Sequence, residues 1–246
     1  MNALANANQS WIEQTYICPD VTALRPDYSV VLIVADGLQP GRCDELSERA
    51  LIAAEKTARN LLHTVPVTEI PHIAQWRETY RRFGANPKRT RPSVEGLMRR
   101  VENGLPRIDR LTDIYNAISI QHILPVGGED LDAYVGPLRL TRATGKETFD
   151  TTIDGKSETE LCEAGEIVWR DDIGATCRRW NWRQCTRTRL GPTTHRAVFI
   201  LEWLTAVDDS GLKKACEHFQ ELLHTSNPGV QLMSRRLDAH PTPAGE

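Results

Sequence analysis

The chain of 246 residues lacks the features that mark secreted and membrane-spanning proteins. Its longest apolar runs, 30–35 and 197–201, have the length of strands and fall far short of a bilayer span. The N-terminal stretch is polar and has no basic start followed by an apolar run, as a secretory signal would. We therefore expect a cytoplasmic protein with no membrane contact.

Cysteine and histidine are also too scattered to indicate a disulfide framework or a metal site. The six cysteines form no Cys-x-x-Cys pair, and the seven histidines show no ligand spacing. No cysteine has neighbouring histidine or aspartate residues that suggest nucleophilic catalysis. The sequence therefore predicts reduced thiols, no metal and no cofactor.

What is present fits a globular protein of one large domain or two small ones. Hydrophobic residues make up 40% of the chain and charged residues 26%. Helical periodicity predicts helices over 43–63, 71–84, 105–125 and 209–223, mostly in the first half. The second half predicts hairpins over 136–150 and 164–180 and a strand over 194–204. This order indicates an α+β fold.

Charge is unevenly distributed along a chain whose formal net charge is −3. The segment 77–110 contains ten basic and four acidic residues, and 173–201 contains six arginines and no carboxylate. One interpretation is a phosphate-binding surface on an acidic body. The other is that each arginine pairs with an acid elsewhere in the fold, and the sequence favours neither.

The densest part of the second basic segment is RRWNWRQCTRTRL, residues 178–190. If it is a strand, Arg179, Asn181 and Arg183 share one face, and Trp180 and Trp182 share the other. Arginines bind phosphate and tryptophan rings stack on bases, so such a strand suits a nucleic-acid cleft. The alternative is two core tryptophans beside solvated arginines.

Two further features suggest a polar site. Asn116 lies in an otherwise apolar helix, where an asparagine needs a partner for its amide. It either orients a ligand or bonds to neighbouring backbone. The stretch PVGG, 125–128, predicts a loop whose free N–H groups hold an oxyanion, or else a plain turn.

Three segments, in this order, resemble the free-standing members of the B3/B4 domain family. They are WRETYRRFGANPKRTRPSVEGLMRRV, LPRIDRLTDIYNAISIQHILPVGGEDLD and RRWNWRQCTRT. The same domain occurs in the β subunit of bacterial phenylalanyl-tRNA synthetase. The resemblance implies mixed sheets that enclose a cleft over residues 70–205. It leaves 1–69 as a strand–helix portion packed on that domain, and 206–246 as a helix with a loose tail past Asn227.

In the synthetase this domain hydrolyses the ester of a tRNA that carries a wrong amino acid. The resemblance implies the same activity here: a deacylase for a mischarged, aromatic aminoacyl-tRNA, acting without metal or covalent intermediate. The expected partner is the aminoacylated 3′ end of tRNA. A chain of this length has no room for the synthetase's catalytic module, so it is not expected to act as a ligase on its own.

The resemblance also implies site residues. Asn116 falls on the family's asparagine, Tyr115 on its threonine and Gly127 on its histidine, and the family's later threonine falls on Thr193 or Thr194. We expect four residues to act on the ester: Asn116, Gly127, Gly128 and Thr194. We expect seven to bind the substrate: Tyr115, Arg179, Asn181, Arg183, Gln184, Arg77 and Tyr80.

Two departures leave alternatives open. The synthetase has a glutamate that reads the tyrosine hydroxyl, whereas this chain has WNWRQ at the corresponding turn and no acid between Asp172 and Glu202. Gly127 replaces a histidine, and no general base is recognisable. The rival interpretations are a non-catalytic binder of tRNA or an aromatic amino acid, and a small-molecule enzyme that reuses the cleft.

Overall fold

The structure is a computed structural model that describes residues 3–205 and 210–239. Its helices are α1 (Ala3–Gln14), α2 (Pro19–Leu24), α3 (Glu45–Leu62), α4 (Pro71–Arg82), α5 (Ser93–Met98), α6 (Arg110–His122) and α7 (Ser210–Ser226). Short 3-10 turns occupy Val67–Glu69, Val101–Asn103 and Leu131–Ala133. Among the described residues, no helix is long and apolar enough to cross a membrane.

The first seven strands are β1 (Tyr16–Ile17), β2 (Tyr28–Asp36), β3 (Val126–Asp130), β4 (Arg139–Arg142), β5 (Thr148–Ile153), β6 (Lys156–Leu161) and β7 (Ile167–Arg170). The last four are β8 (Ala175–Arg178), β9 (Arg183–Gln184), β10 (Arg196–Leu204) and β11 (Gln231–Asp238). Most helices precede most strands, and the predicted α+β class is confirmed.

A four-stranded antiparallel sheet in the order β11-β2-β10-β3 forms the centre of the fold. Because side chains alternate along a strand, its two faces pack against different partners. On one face, Ile33 and Phe199 pack against α6 and α7. On the other face, Leu32 and Ile200 belong to the core that the second sheet closes.

The second sheet has the order β1-β4-β7-β8-β9. Leu140 of β4 and Trp169 of β7 face the first sheet across a shared core that also contains Trp76 of α4 and Trp180. β5 and β6 form a separate two-stranded sheet beside β8. The two main sheets therefore lie on opposite sides of one apolar core.

Two of the long helices, α3 and α6, begin at side-chain caps. Asp44 and Ser47 form a reciprocal capping box at the start of α3, and Asp109 accepts the Thr112 N–H at 2.8 Å at the start of α6. α3 and α6 pack against one another through a core that includes Leu51 and Ile120. This packing holds α6 beside β3.

The hairpin predicted over 164–180 is confirmed as β7 and β8, but the one over 136–150 is wrong. β4 joins the five-stranded sheet, whereas β5 pairs with β6. The buried Glu147 carboxylate accepts the backbone N–H groups of Thr144 and Gly145 at 2.9 and 3.1 Å. These bonds fix a loop between β4 and β5, so the two strands do not pair.

The loose tail predicted past Asn227 is also wrong for most of its length. Residues 231–238 form β11, which pairs along the whole of β2. Arg235 of β11 donates to the carbonyl oxygens of Ile12, Glu13 and Thr15 at the end of α1. Edge pairing and this cap fix the segment. Residues 240–246 lie outside the described part of the chain.

Candidate active site

A cavity of about 340 Å³ lies between the two main sheets, which is a volume typical of small-ligand pockets. One wall is the face of β3 and β10 that bears Gly127 and Glu202. The opposite wall is the segment 180–184. α5 and α6 close the remaining side. Six of the expected site residues line this one cavity: Tyr115, Asn116, Gly127, Asn181, Arg183 and Gln184.

Residues 179–182 form a turn that joins β8 to β9, so the face arrangement considered for 178–184 as one continuous strand is not found. Arg179 and Trp180 have φ values of 47° and 69°, in the left-handed region, and they reverse the chain after β8. The Trp180 ring is completely buried and packs edge-on against Tyr28 and Trp76. Asn181 and Trp182 follow it into the cavity wall.

Most arginines of the second basic segment are used inside the protein. Arg178 pairs with Glu166 at 2.7 Å and Arg187 with Asp171 at 2.9 Å. Arg179 pairs with Glu163 at 2.7 Å, and Arg196 pairs with Asp132. These four arginines therefore pair with acidic residues elsewhere in the fold, as the second interpretation of the basic segments expects. Arg183 is different, since it lines the cavity and its guanidinium lies 6.0 Å from the Trp182 ring.

Glu202 of β10 supplies a carboxyl group at one end of the cavity. Its Oε1 accepts hydrogen bonds from Tyr28 and Trp169, both at 2.9 Å, and its Oε2 accepts one from Asn181 at 2.6 Å. Burial raises the pKa of Glu202 to about 7, against the lowering effect of these donors. Oε2 retains one unused acceptor position. A carboxyl group is thus present in the cavity, although the sequence around WNWRQ suggested none.

The raised pKa of Glu202 predicts a pH-dependent stability. The folded protein binds this proton more tightly than the unfolded chain, so the carboxyl contributes stability at low pH that is lost as pH rises through about 7. Between pH 5 and 8 the free energy of unfolding of the parent should fall by about 2–3 kcal/mol more than that of Glu202→Gln.

Denaturant unfolding of both proteins at the two pH values measures this difference. The comparison is needed because His72, whose pKa burial lowers to about 4, gives the opposite slope in both proteins. If the free energy of unfolding changes with pH by the same amount in parent and variant, Glu202 is ionised over the whole range from pH 5 to 8.

Glu129 of β3 provides a second carboxyl group on the same face of the sheet. It lies opposite Val198, four residues from Glu202 on β10, so the two residues are separated by about 13 Å along the strand. Burial raises the pKa of Glu129, and the Tyr134 and Thr188 hydroxyls oppose that effect by donating to it. The cavity therefore has a buried carboxyl at each end.

Asn116 lies in the middle of α6 and is 6% exposed. Within the described chain its amide has no hydrogen-bond partner, so the alternative in which it bonds to backbone is not what the structure shows. Its N–H and C=O groups are available to a ligand in the cavity. Tyr115 beside it packs against Phe199, and burial raises its pKa to about 12.

The two glycines of PVGG lie in strand β3 and not in a loop, because residues 126–130 pair with β10. A Cβ on Gly128 would lie 2.8 Å from the Phe199 ring, so this residue faces the core under α6 and α7. A Cβ on Gly127 would meet only the flexible Gln184 amide at 3.4 Å. Gly127 therefore opens the cavity, whereas Gly128 permits close packing behind it.

Positive charge at the cavity comes mainly from the first basic segment. Arg89, Arg91 and Arg100 line it beside α5. Arg91 lies 3.9 Å from Glu95, while Arg89 and Arg100 are exposed and have no ion pair within residues 3–205 and 210–239. These two side chains are free to bind an anion.

The remaining expected site residues support the walls without lining the cavity. Arg77 donates to both oxygens of Glu95 at 2.8 and 2.9 Å. The Tyr80 hydroxyl donates to Asn181 at 2.9 Å, and Thr194 donates to Asp130 at 2.6 Å. Arg179, paired as described, lies with its guanidinium 4.7 Å from the Trp182 ring.

Sequence reasoning missed both carboxyl groups and the free arginines. Glu202 interrupts the apolar strand AVFILEWL, and Glu129 follows the glycines of PVGG. A charge inside a buried strand is the signal that identifies such a residue, because an ionisable group is costly to bury. No three His, Cys, Asp or Glu side chains of the described residues converge as metal ligands.

Comparison with known proteins adds a family assignment. The family model described as "B3/4 domain" matches residues 75–227. A crystal structure of an N-terminal fragment of the phenylalanyl-tRNA synthetase β subunit from Pyrococcus horikoshii is similar, with a TM-score of 0.44 and 11% identity. The similarity covers 91% of this chain and 53% of that one, so the chain spans about half of the fragment. No curated protein matches the sequence significantly.

Proposed function

The chain belongs to the B3/4 domain family, and from this premise we propose that it hydrolyses the ester of an aminoacylated tRNA 3′ end. The observation that carries the proposal is the unpartnered amide of Asn116 in a cavity with free arginines at its side. An acyl ester needs a donor for its carbonyl oxygen, and the nucleotide that bears it needs cations for its phosphate. The cavity offers both.

The chemistry assigned to the cavity is positioning and electrostatic stabilisation. The Asn116 amide donates to the carbonyl oxygen, which becomes more negative as water adds to the carbon. The backbone of β3 offers a second donor. Asp130 donates its N–H to Thr188 on the side away from β10, and strand alternation directs the Gly128 N–H to that same edge.

The far end of the cavity suits an aromatic side chain with a hydroxyl group. Trp169 and Trp180 line this end beside Glu202. A hydroxyl there donates to the unused position on Glu202 Oε2. The indole N–H of Trp180 lies near this carboxyl and has no partner of hydrogen-bond geometry within the described chain. It can donate to the same hydroxyl oxygen, so we propose a tyrosine-like acyl group.

Removal of the two free arginines tests whether the nucleic acid approaches on this side. The double variant Arg89→Ala/Arg100→Ala should bind tRNA at least about tenfold more weakly, because two charge-assisted phosphate contacts are lost. The slope of log K against log salt should fall by about 1.5 units. Filter binding over a series of salt concentrations measures both quantities.

The matched control is Lys213→Ala/Lys214→Ala, which removes the same charge from exposed positions of α7. That helix packs on the opposite face of β10, against Phe199. The control should bind like the parent. Equal effects of the two double variants would indicate that binding follows net charge alone and that the cavity does not face the tRNA.

A further inference from the structure

Glu129, like Glu202 at the other end of the cavity, is a buried carboxyl that no salt bridge compensates among the described residues. It is 1% exposed and lies on the face of β3 that also bears Gly127. Within the described chain it makes no ion pair, whereas the buried Glu95 and Glu166 both pair with arginine. An unpaired ionisable group in a cavity is costly to maintain, and such groups are concentrated at functional sites.

The hydrogen bonds of Glu129 leave one oxygen available. Oε2 accepts from the Tyr134 hydroxyl and from the Thr188 hydroxyl, the latter at 2.8 Å. Oε1 has one contact of only limiting length, 3.5 Å from the Gln184 amide nitrogen, whose shorter bond goes to the Gly128 carbonyl at 2.9 Å. A Cβ on Gly127 would meet only the Gln184 amide nitrogen, which lies beside Oε1, so the glycine leaves this side of the cavity open.

We propose that Glu129 is the general base of the ester hydrolysis, an inference that rests on the proposed function. Oε1 takes a proton from water as the water oxygen bonds to the ester carbonyl carbon and the carbonyl π electrons move to oxygen. When the tetrahedral intermediate collapses, the bond to the ribose oxygen breaks. The ribose oxygen takes the proton back from Glu129, which leaves a free amino acid, a ribose hydroxyl and the original carboxylate.

The groups around Glu129 do not change charge between pH 5 and 8. The pH dependence of activity should therefore follow the ionisation of Glu129. The titratable groups that act on it are phenols and thiols whose own pKa values are raised by burial: Tyr134, Tyr115, Cys177 and Cys185. They stay neutral below pH 8. Arg187 is paired with Asp171, and Arg189, which is always charged in this pH range, forms a backbone bridge with Glu129. Burial raises the pKa of Glu129 itself, which brings a carboxylate base closer to neutral pH.

The experiment is the pH dependence of single-turnover hydrolysis of tyrosyl-tRNA between pH 5 and 8. The parent rate should rise with pH as Glu129 ionises. Glu129→Gln keeps an oxygen for Tyr134 and Thr188 but cannot take a proton, so its rate should be at least about 100-fold lower and independent of pH. tRNA affinity should not change, since this carboxyl makes no contact with phosphate.

Tyr134→Phe provides a second readout that a purely structural role would not produce. It removes a donor that stabilises the ionised form, so the pKa of Glu129 should increase further and the rising limb should move to higher pH. Glu202→Gln tests the other carboxyl in the cavity. It should slow the reaction of tyrosyl-tRNA by weakening the contact with the hydroxyl, but the rising limb of the pH–rate profile should remain.

Three results would overturn the inference. If the parent rate depends on pH and Glu129→Gln is equally active, Glu129 is not the general base, while the proposed function still holds. A limb that stays in place in Tyr134→Phe, or that disappears in Glu202→Gln, would assign the titration to another group. If the parent does not hydrolyse tyrosyl-tRNA at any pH, the proposed function is rejected, and the role of Glu129 as its general base is rejected with it.

Discussion

Arg77→Ala is expected to lower the free energy of unfolding by about 3–5 kcal/mol. The Arg77 guanidinium binds both oxygens of Glu95, whose side chain is completely buried. Arg99, 40% exposed, is left as the main remaining partner of that carboxylate. Removing one partner of a buried ion pair leaves the other charge without compensation in a medium that solvates it poorly.

The same helix provides a matched control for Arg77. Arg81 also forms a salt bridge on α4, with Glu78 at 3.0 Å, but both side chains are about half exposed. Arg81→Ala should cost less than about 1 kcal/mol. Urea unfolding of the two variants measures the contrast. Weaker tRNA binding by a fully stable Arg77→Ala protein would contradict this assignment and restore the expectation that Arg77 contacts the substrate.

The second large effect concerns turnover. Asn116→Ala should lower the single-turnover rate of ester hydrolysis by about 30- to 1,000-fold, which corresponds to about 2–4 kcal/mol of lost transition-state stabilisation. Its amide has no partner among the residues that the structure describes, so no hydrogen bond of the folded protein is lost. Alanine also has the higher helix propensity, and stability should be unchanged or slightly increased.

Asn60→Ala is the control for this substitution, because Asn60 is an exposed residue of α3 and undergoes the same chemical change. It should leave the rate unaltered. If the Asn116 variant loses stability in proportion to activity, the amide has a structural role. If it loses neither, Asn116 does not contact the reacting ester.

Local patterns were sufficient to predict the elements that frame the site. The apolar run 30–35 predicted β2, and helical periodicity predicted α3, α4 and α7 close to their observed ends. These signals are local because each amphipathic element is specified by its own alternation or period. Asn116 was identified through the resemblance and through its poor fit to a helix interior, and its unpartnered amide agrees with that reasoning.

Features that depend on distant partners could not be predicted. Arg77 is bound to Glu95 because α4 and α5 pack together, and no pattern near Arg77 encodes that contact. The orientation of Glu202 toward the cavity depends on the register of β10 with β3 and on stacking of the second sheet. Arg179 and Trp180 adopt left-handed backbone conformations without a glycine, so the sequence carries no local signal for the turn between β8 and β9.

If this chain hydrolyses aminoacyl esters in the cavity that contains Asn116 and Glu202, the intact protein should show that reaction in vitro. Single-turnover deacylation by the intact protein, with phenylalanine tRNA carrying tyrosine or phenylalanine, tests it most directly. We expect hydrolysis well above the uncatalysed rate, and faster hydrolysis of the tyrosyl ester, because only tyrosine has a hydroxyl that can donate to Glu202. Binding of these tRNAs without any acceleration of ester hydrolysis would contradict the account and leave a non-catalytic binder.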